Sequence, residues 1–452
     1  MPGFNPACPG FLPSGPLSRH RGFMTEQPPP SRVLPDAVDV VVIGGGIVGA
    51  STAYYLARAG VRVALCEKGV IAGEQSGRNW GFIRKQGRHP SEIPLMVLAL
   101  ECWHELVGEL ETDIGFRVGG TLYLSETEQR YHANLAWLEH ARTFGLDSTF
   151  LSVSELKTLV PGMQNQARGA LFTPSDASAE PALATRAIAE KAQSAGTILL
   201  PRCTVRGIDL AGGKVAGVVT EHGRIRCPVA VCAGGAWSGY FCRHLALVFP
   251  HLKVISSVMA TDPTGIRVSE QNIWSTGLGM RRRRDGGYTV AYGGGSSCEI
   301  TPDLFRFFRA YLPAYRHSKE IVALKPGNRF FRELMWPSTW PLDKPTPFEK
   351  ERVLNPDPDL AILDRAYGLL GETFPELQGI GIAQRWAGMI DVTPDELPVI
   401  STVNQVPGLV ISTGYSGHGF GIGPGAGKVT AALATGNTPD TDLSAFSLDR
   451  LL

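Results

Sequence analysis

Apolar positions along this chain alternate between short continuous runs and 3.6-residue stripes, and the clearest pair opens the ordered sequence. Val40, Val41, Val42 and Ile43 follow Asp39, then come Gly44-Gly45-Gly46 and an apolar stripe that begins at Ile47. This order predicts a buried strand, a tight turn and a helix. A second strand over 61–67 ends on Glu67, 23 residues after Gly44. Further on, the pattern predicts a helix over 94–110, a strand over 117–125 and a long helix over 126–143. Ser152 and Glu155 have capping-box spacing at the start of another helix. A strand over 169–172, a helix over 181–195, a hairpin of 205–210 with 214–220 and a strand over 229–233 complete the first half.

From about residue 250 to 386 the pattern becomes strand-rich and then proline-rich, with hairpin signals at 262–265 and 285–287. The tail returns to the opening style. A strand over 409–414 precedes the glycine-rich run 417–425, which opens a predicted helix over 426–435. These elements predict an α/β protein: a Rossmann-like nucleotide domain (38–90, 165–245 and 387–440) and a discontinuous antiparallel-sheet substrate domain (91–164 and 246–386). Residues 1–37 are proline-rich without an apolar core segment and are expected to be a disordered leader, with Met24 an alternative start.

Composition narrows the class. The chain has 452 residues, 43% hydrophobic, and a net charge of +1, so nothing global favours nucleic acid or an anionic membrane. Eight cysteines show no C-x-x-C and no metal spacing, which argues against a zinc site and a disulfide framework. A reducing, cytoplasmic location is expected, and no apolar run is long enough to span a bilayer. The run Arg281-Arg282-Arg283-Arg284 is read as one hairpin arm, either solvated or with alternate arginines facing a substrate carboxylate.

The chemistry begins at the first turn. Gly44, Gly46 and Gly49 have G-x-G-x-x-G spacing between a strand and a helix, which lets a pyrophosphate approach the backbone and the helix N-terminus. Glu67 then lies where ribose hydroxyls would, and its charge disfavours a 2′-phosphate. A second glycine-opened helix at the far end of the chain suggests one long ligand gripped at two points. FAD is long enough for this, and a helix dipole near its ring would stabilise the reduced flavin.

Taken together, residues 44–49, Glu67, Ser76-Gly77-Arg78-Asn79-Trp80-Gly81, Ala233-Gly234-Gly235, Thr393-Pro394-Asp395-Glu396 with Pro398, and Gly414-x-x-Gly417-His418-Gly419 resemble the D-amino acid oxidase superfamily of FAD-dependent oxidoreductases. The resemblance runs from about residue 38 to 437. It implies a GR2-type FAD-binding domain and oxidation of a carbon–nitrogen bond in an amine or amino acid, as in glycine, sarcosine and gamma-glutamylputrescine oxidases. The implied FAD contacts are Gly44, Gly46, Ile47, Val48, Gly49, Glu67, Lys68, Ser76, Gly77, Asn79, Trp80, Val205, Ala233, Gly234, Gly388, Gly414, Gly417, His418 and Gly419. No metal is expected.

The sequence departs from the family in ways that bear on the substrate. Gly388 stands where sarcosine oxidase-like members carry a flavin-linking cysteine, so FAD is expected to be non-covalent. Ile390 replaces a carboxylate-binding arginine, Gly421 a substrate-binding lysine, and Thr289 falls near the position of an oxygen-activating lysine. The electron acceptor is therefore open between oxygen and a quinone or electron carrier. Asp391 is read either as an anchor for a cationic substrate group or as a hydrogen-bonded turn residue. Arg84, Tyr292, Arg385 and His418 are the substrate-pocket candidates, alongside Lys85, Arg88 and Trp386. A dehydrogenase or monooxygenase acting on a hydroxyl or aromatic substrate, and a flavin-binding subunit of a larger oxidoreductase, stand as alternatives.

Overall fold

The structure, a computed structural model, describes residues 34–318 and 322–452. The expected leader lies outside the described residues up to position 33, but its last residues are docked. Leu34 packs on the core, and Arg226 N donates to Asp36 O at 3.1 Å.

Uninterrupted apolar strands need cover on both faces, and the nucleotide half supplies it. Its six-stranded sheet runs Val399–Thr402, Leu409–Thr413, Val229–Cys232, Val40–Ile43, Val63–Glu67, Ile198–Pro201. Every neighbouring pair is parallel except the antiparallel edge pair Val399–Thr402 with Leu409–Thr413. Helices Ile47–Arg58, Ile93–Glu109, Pro181–Ser194 and Gly419–Ala434 share the core on one face. The meander Val205–Ala211, Lys214–Thr220 and Gly223–Arg226 and the helix Ser238–His244 contribute to a second core on the other. The chain leaves Val40–Ile43 towards one neighbour and reaches the other only after a long excursion. The carboxyl ends of these strands therefore open onto a crevice at a switch point.

The glycine-rich tail differs from its expected form. The helix begins at Gly419, so all the glycines of the run except Gly417 lie inside it rather than before it. Packing explains this. A Cβ on Gly423 would meet Ile47 Cγ1 at 2.6 Å, one on Gly425 would meet Ala99 Cα at 2.8 Å, and one on Gly427 would meet Ser51 Cβ at 2.4 Å. Several of these glycines thus serve close helix–helix contact, at some cost in helix propensity.

A second, larger sheet carries strand Leu252–Thr261 near its middle, paired along its length with Ile382–Val392 and also with Tyr288–Ala291 and Ser296–Glu299. It is largely antiparallel, with parallel joints at Asn272–Trp274 with Thr121–Leu124 and at Ser296–Glu299 with Val322–Lys325. The 285–287 turn closes the expected hairpin, where Arg283 N donates to Gly287 O at 2.7 Å. The 262–265 signal does not close one, because the chain leaves Leu252–Thr261 for a strand several positions away. The strand expected over 117–125 breaks into Arg117–Val118 and Thr121–Leu124 at Gly119-Gly120, where Gly120 takes φ +78°.

The domain limits also move. Leu95, Met96, Ala99, Trp103 and Leu106 of helix Ile93–Glu109 are buried with Val40 and Ile47, so this helix belongs to the nucleotide core. Strand Ala170–Thr173 joins the large sheet, and Ile382–Val392 runs unbroken through the limit drawn at 386/387.

Candidate cofactor and substrate site

The carboxyl ends of the parallel strands, the first helix N-terminus and the strand pair Leu252–Thr261 with Ile382–Val392 enclose one long cleft of about 1420 Å³. At one end, Gly44 turns with φ +112°, and a Cβ there would lie 2.4 Å from Ala233 O. A Cβ on Gly49 would lie 1.9 Å from Gly44 O, so helix and strand touch only because both positions are bare. Gly46 differs, since its Cβ would meet only Ser76 Oγ, at 3.0 Å. Ser76 Oγ accepts from Ile47 N at 2.9 Å, satisfying one of the exposed N–H groups of the helix start.

Glu67 Oε2 accepts from Gly45 N at 2.7 Å and Oε1 from Gly69 N at 2.6 Å, so this carboxylate organises the turn itself. Burial raises its pKa against the opposing pull of Lys68 and these two N–H groups. Lys68 is tied to Glu74 at 2.7 Å and to Arg352 O at 2.7 Å. Glu74 Oε1 also accepts from Trp237 Nε1 and Leu354 N. The proline-rich region missed as a site element thus closes over this end, with Phe348 and Val353 in the cleft wall.

At the other end the wall is built by alternate residues of two paired strands. Ser256 and Val258 on one and Gly388 and Ile390 on the other face the cleft, as the two-residue period of a strand requires. A Cβ on Gly388 would sit 3.3 Å from Arg78 Cβ. Arg78, only 4% exposed, donates to Gly73 O at 3.0 Å, Asn355 Oδ1 at 2.6 Å and Ala387 O at 3.1 Å. Burial lowers its pKa. Its placement against Gly388 was not legible in the sequence, because it depends on a strand more than three hundred residues away.

Among the implied contacts, Gly44, Gly46, Ile47, Val48, Glu67, Lys68, Ser76, Asn79, Trp80, Val205, Ala233, Gly234, Gly388, Gly417 and Gly419 line the cleft. Gly49, Gly77, Gly414 and His418 stand behind its wall. Gly77 is bare because a Cβ would lie 2.1 Å from Ala72 O, and Gly414 takes φ +74°. Asn79 caps its own short helix, donating to Gln75 O and Ser76 O.

The substrate-pocket candidates Arg84, Tyr292 and Arg385 also lie off the cleft wall, each engaged elsewhere. Arg84 donates to Gln86 O and stacks over the Tyr123 ring, Tyr292 packs against the large-sheet core, and Arg385 faces Asp364 at 3.7 Å. Asp391 does line the cleft, yet its Oδ2 accepts from Gly414 N at 2.9 Å and Thr413 Oγ1 at 3.2 Å, which fits the turn role. The four consecutive arginines meet carboxylates of this chain: Arg281 with Glu180, Arg282 with Glu270, Arg283 with Asp285, Arg284 with Asp113. The seven described cysteines are free thiols, and among the described residues no cluster of His, Cys, Asp or Glu is placed to hold a metal.

The glycine turn, the capped helix start and the second glycine-flanked helix start at Gly419 provide the backbone cradle that an extended dinucleotide needs. Comparison with known proteins agrees. Residues 39–433 match the FAD dependent oxidoreductase family, DAO. The chain belongs to this family. It is 26% identical to human mitochondrial sarcosine dehydrogenase over 93% of its length, spanning about 42% of that longer protein. It is 24% identical to sarcosine oxidase subunit beta of an Arthrobacter species, covering 96% of this chain and 95% of the relative. Among solved structures, L-amino acid deaminase from Proteus myxofaciens, in complex with anthranilate, superposes with a TM-score of 0.89 at 32% identity, covering 93% of this chain and 94% of that one. The cofactor of this oxidoreductase family is FAD, and the cleft residues fit it.

Proposed function

We propose that this FAD-dependent oxidoreductase oxidises the C–N bond of a primary or secondary amine or an amino acid, giving an imine that water hydrolyses. One observation carries the reading: a single cleft joins two glycine-flanked helix starts and is walled at its far end by apolar strand residues. Proteins similar to this chain named for sarcosine and L-amino acids support it. Bound FAD would supply the hydride acceptor.

The chain's own residues do the positioning. Glu67 fixes the turn that presents the first helix N-terminus, and Ser76 holds that terminus at Ile47 N. Arg78 places a fixed, buried cation behind Gly388, where negative charge on a reduced ring would be stabilised. Val258 and Ile390 exclude water from the far end. Desolvation there keeps a substrate amine neutral, the form that gives up hydride, so no dedicated base is required.

Thr289, where an oxygen-activating lysine is implied, is buried on strand Tyr288–Ala291 opposite Ala260 and supplies no cation. A quinone or other electron carrier is accordingly the proposed acceptor, and a cytoplasmic location is proposed with it. No helix among the described residues is long and apolar enough to cross a membrane. Anaerobic bleaching of the flavin by amines or amino acids, with none by hydroxy acids, tests the reading. Bleaching by hydroxy acids alone overturns it.

A further inference from the structure

Five strongly exposed apolar side chains gather outside the cleft. Met335 is 83% exposed, Phe331 66%, Phe305 65%, Leu334 61% and Phe308 55%. They belong to three consecutive short helices, Pro302–Arg306, Phe308–Ser318 and Arg329–Leu334 with its C-cap Met335. The first and third helices share a surface, since the Phe305 and Phe330 rings meet edge to face at 6.2 Å and Phe330 meets Phe331 at 5.4 Å, and the second helix follows the first after the single residue Phe307. Isolated exposed apolar residues are ordinary, whereas a contiguous set marks a place where something docks.

Along the first two helices the exposed charge beside this face is positive, while the acids nearby, Asp303, Glu333 and Glu351, are each paired with Arg243, Lys253 and Arg332 respectively. Residues 305–316 read Phe-Arg-Phe-Phe-Arg-Ala-Tyr-Leu-Pro-Ala-Tyr-Arg, with three arginines and no acid. Arg306, Arg309 and Arg316 are exposed, and none pairs with a described carboxylate. On the longest helix, Phe308, Leu312 and Tyr315 share one stripe with Arg309 and Arg316 beside it. Aromatic residues flanked by cations on a short surface helix are the composition of a segment that lies in a lipid interface. The chain's net charge of +1 conceals this local excess.

The inner side of the same unit is fixed. Tyr311 donates to Val392 O at 2.5 Å, and Arg329 donates to Met389 Sδ at 3.1 Å and to Glu333 at 2.7 Å. Glu333 is in turn paired with Lys253 at 2.8 Å. An inner side bonded to the cleft-lining strand Ile382–Val392 thus carries an outer side that stays exposed among the described residues.

We propose that the face formed by Phe305, Phe308, Phe331, Leu334 and Met335, rimmed by Arg306, Arg309 and Arg316, docks the protein onto an anionic lipid bilayer surface. The aromatic and aliphatic side chains enter the headgroup boundary while the arginines meet lipid phosphates.

Co-sedimentation of the flavin-loaded full chain with vesicles tests this. Binding to phosphatidylcholine vesicles containing phosphatidylglycerol is expected, with much weaker binding to phosphatidylcholine alone and loss on adding salt. The triple change Arg306→Gln, Arg309→Gln, Arg316→Gln should weaken binding at least about tenfold. Phe305→Ser with Phe331→Ser and Met335→Ser should do the same while flavin content stays unchanged. Equal binding by these variants, or no binding to either vesicle, overturns the proposal. So does a concentration-dependent dimer abolished by the serine variant, which would assign the face to a second copy. The conservative variant Phe331→Trp guards against misfolding: brominated lipids should quench its added fluorescence, and an unquenched, fully solvated tryptophan counts against docking.

Discussion

His418 Nδ1 lies 3.4 Å from Glu92 Oε2, with Glu92 fully buried and neither carboxylate oxygen otherwise hydrogen-bonded. His418 immediately precedes the helix Gly419–Ala434, and Arg88, only 3% exposed, donates to His418 O at 3.4 Å. Burial works to raise the Glu92 pKa, but His418, Arg88 and Arg84 outweigh it and hold it at about 2. Burial, together with Arg88, lowers the pKa of His418.

These directions fix a pH dependence. A carboxyl with a depressed folded pKa stabilises the fold above its ordinary value of 4.5 and loses that contribution as pH falls towards about 2. Lowering pH through 6.5 also protonates His418 more readily in the unfolded chain, which adds to the acid limb. Glu92→Gln should therefore cost on the order of 3 kcal/mol at neutral pH, with the gap to the parent closing by pH 2. Urea midpoints measured across that range decide it, and a pH-independent gap would contradict the assignment.

Gly46→Val should weaken FAD binding by roughly ten- to a hundredfold while leaving the apoprotein folded, because its side chain meets only Ser76 Oγ. Gly44→Val should instead fail to fold, since φ +112° and the contact with Ala233 O exclude any side chain. Flavin titration beside thermal melting separates the two. Full flavin affinity in Gly46→Val would sink the site.

Gly388 offers no thiol, and its Cα faces Arg78. Acid precipitation should accordingly release intact FAD into the supernatant. Yellow colour retained in the washed pellet would show a covalent link formed elsewhere.

Arg281 is 2% exposed at its side chain and pairs with both oxygens of Glu180, whose pKa is held at about 2. Arg281→Ala should destabilise by about 3 kcal/mol by removing the main partner of that largely buried carboxylate, which keeps only the Arg284 N–H. Arg284→Ala, at a half-exposed surface pair, should cost no more than about 1 kcal/mol. Thermal melts compare them, and equal effects would refute the ranking.

The sequence alone determined the first βαβ unit, the place of Glu67 at the end of its second strand and the capping box at Ser152, where Glu155 N donates at 3.3 Å. Each of these depends on neighbours within a few residues or on one strand–turn–helix spacing, so local chemistry suffices. Only the tertiary structure decided which glycines face the cleft and which face another helix, because Gly419 and Gly427 are alike in sequence and differ in what packs against them. The same holds for charge. Arg78, Glu92 and the four-arginine run took their roles from partners far along the chain, and an ion pair's strength depends on burial that no local pattern records.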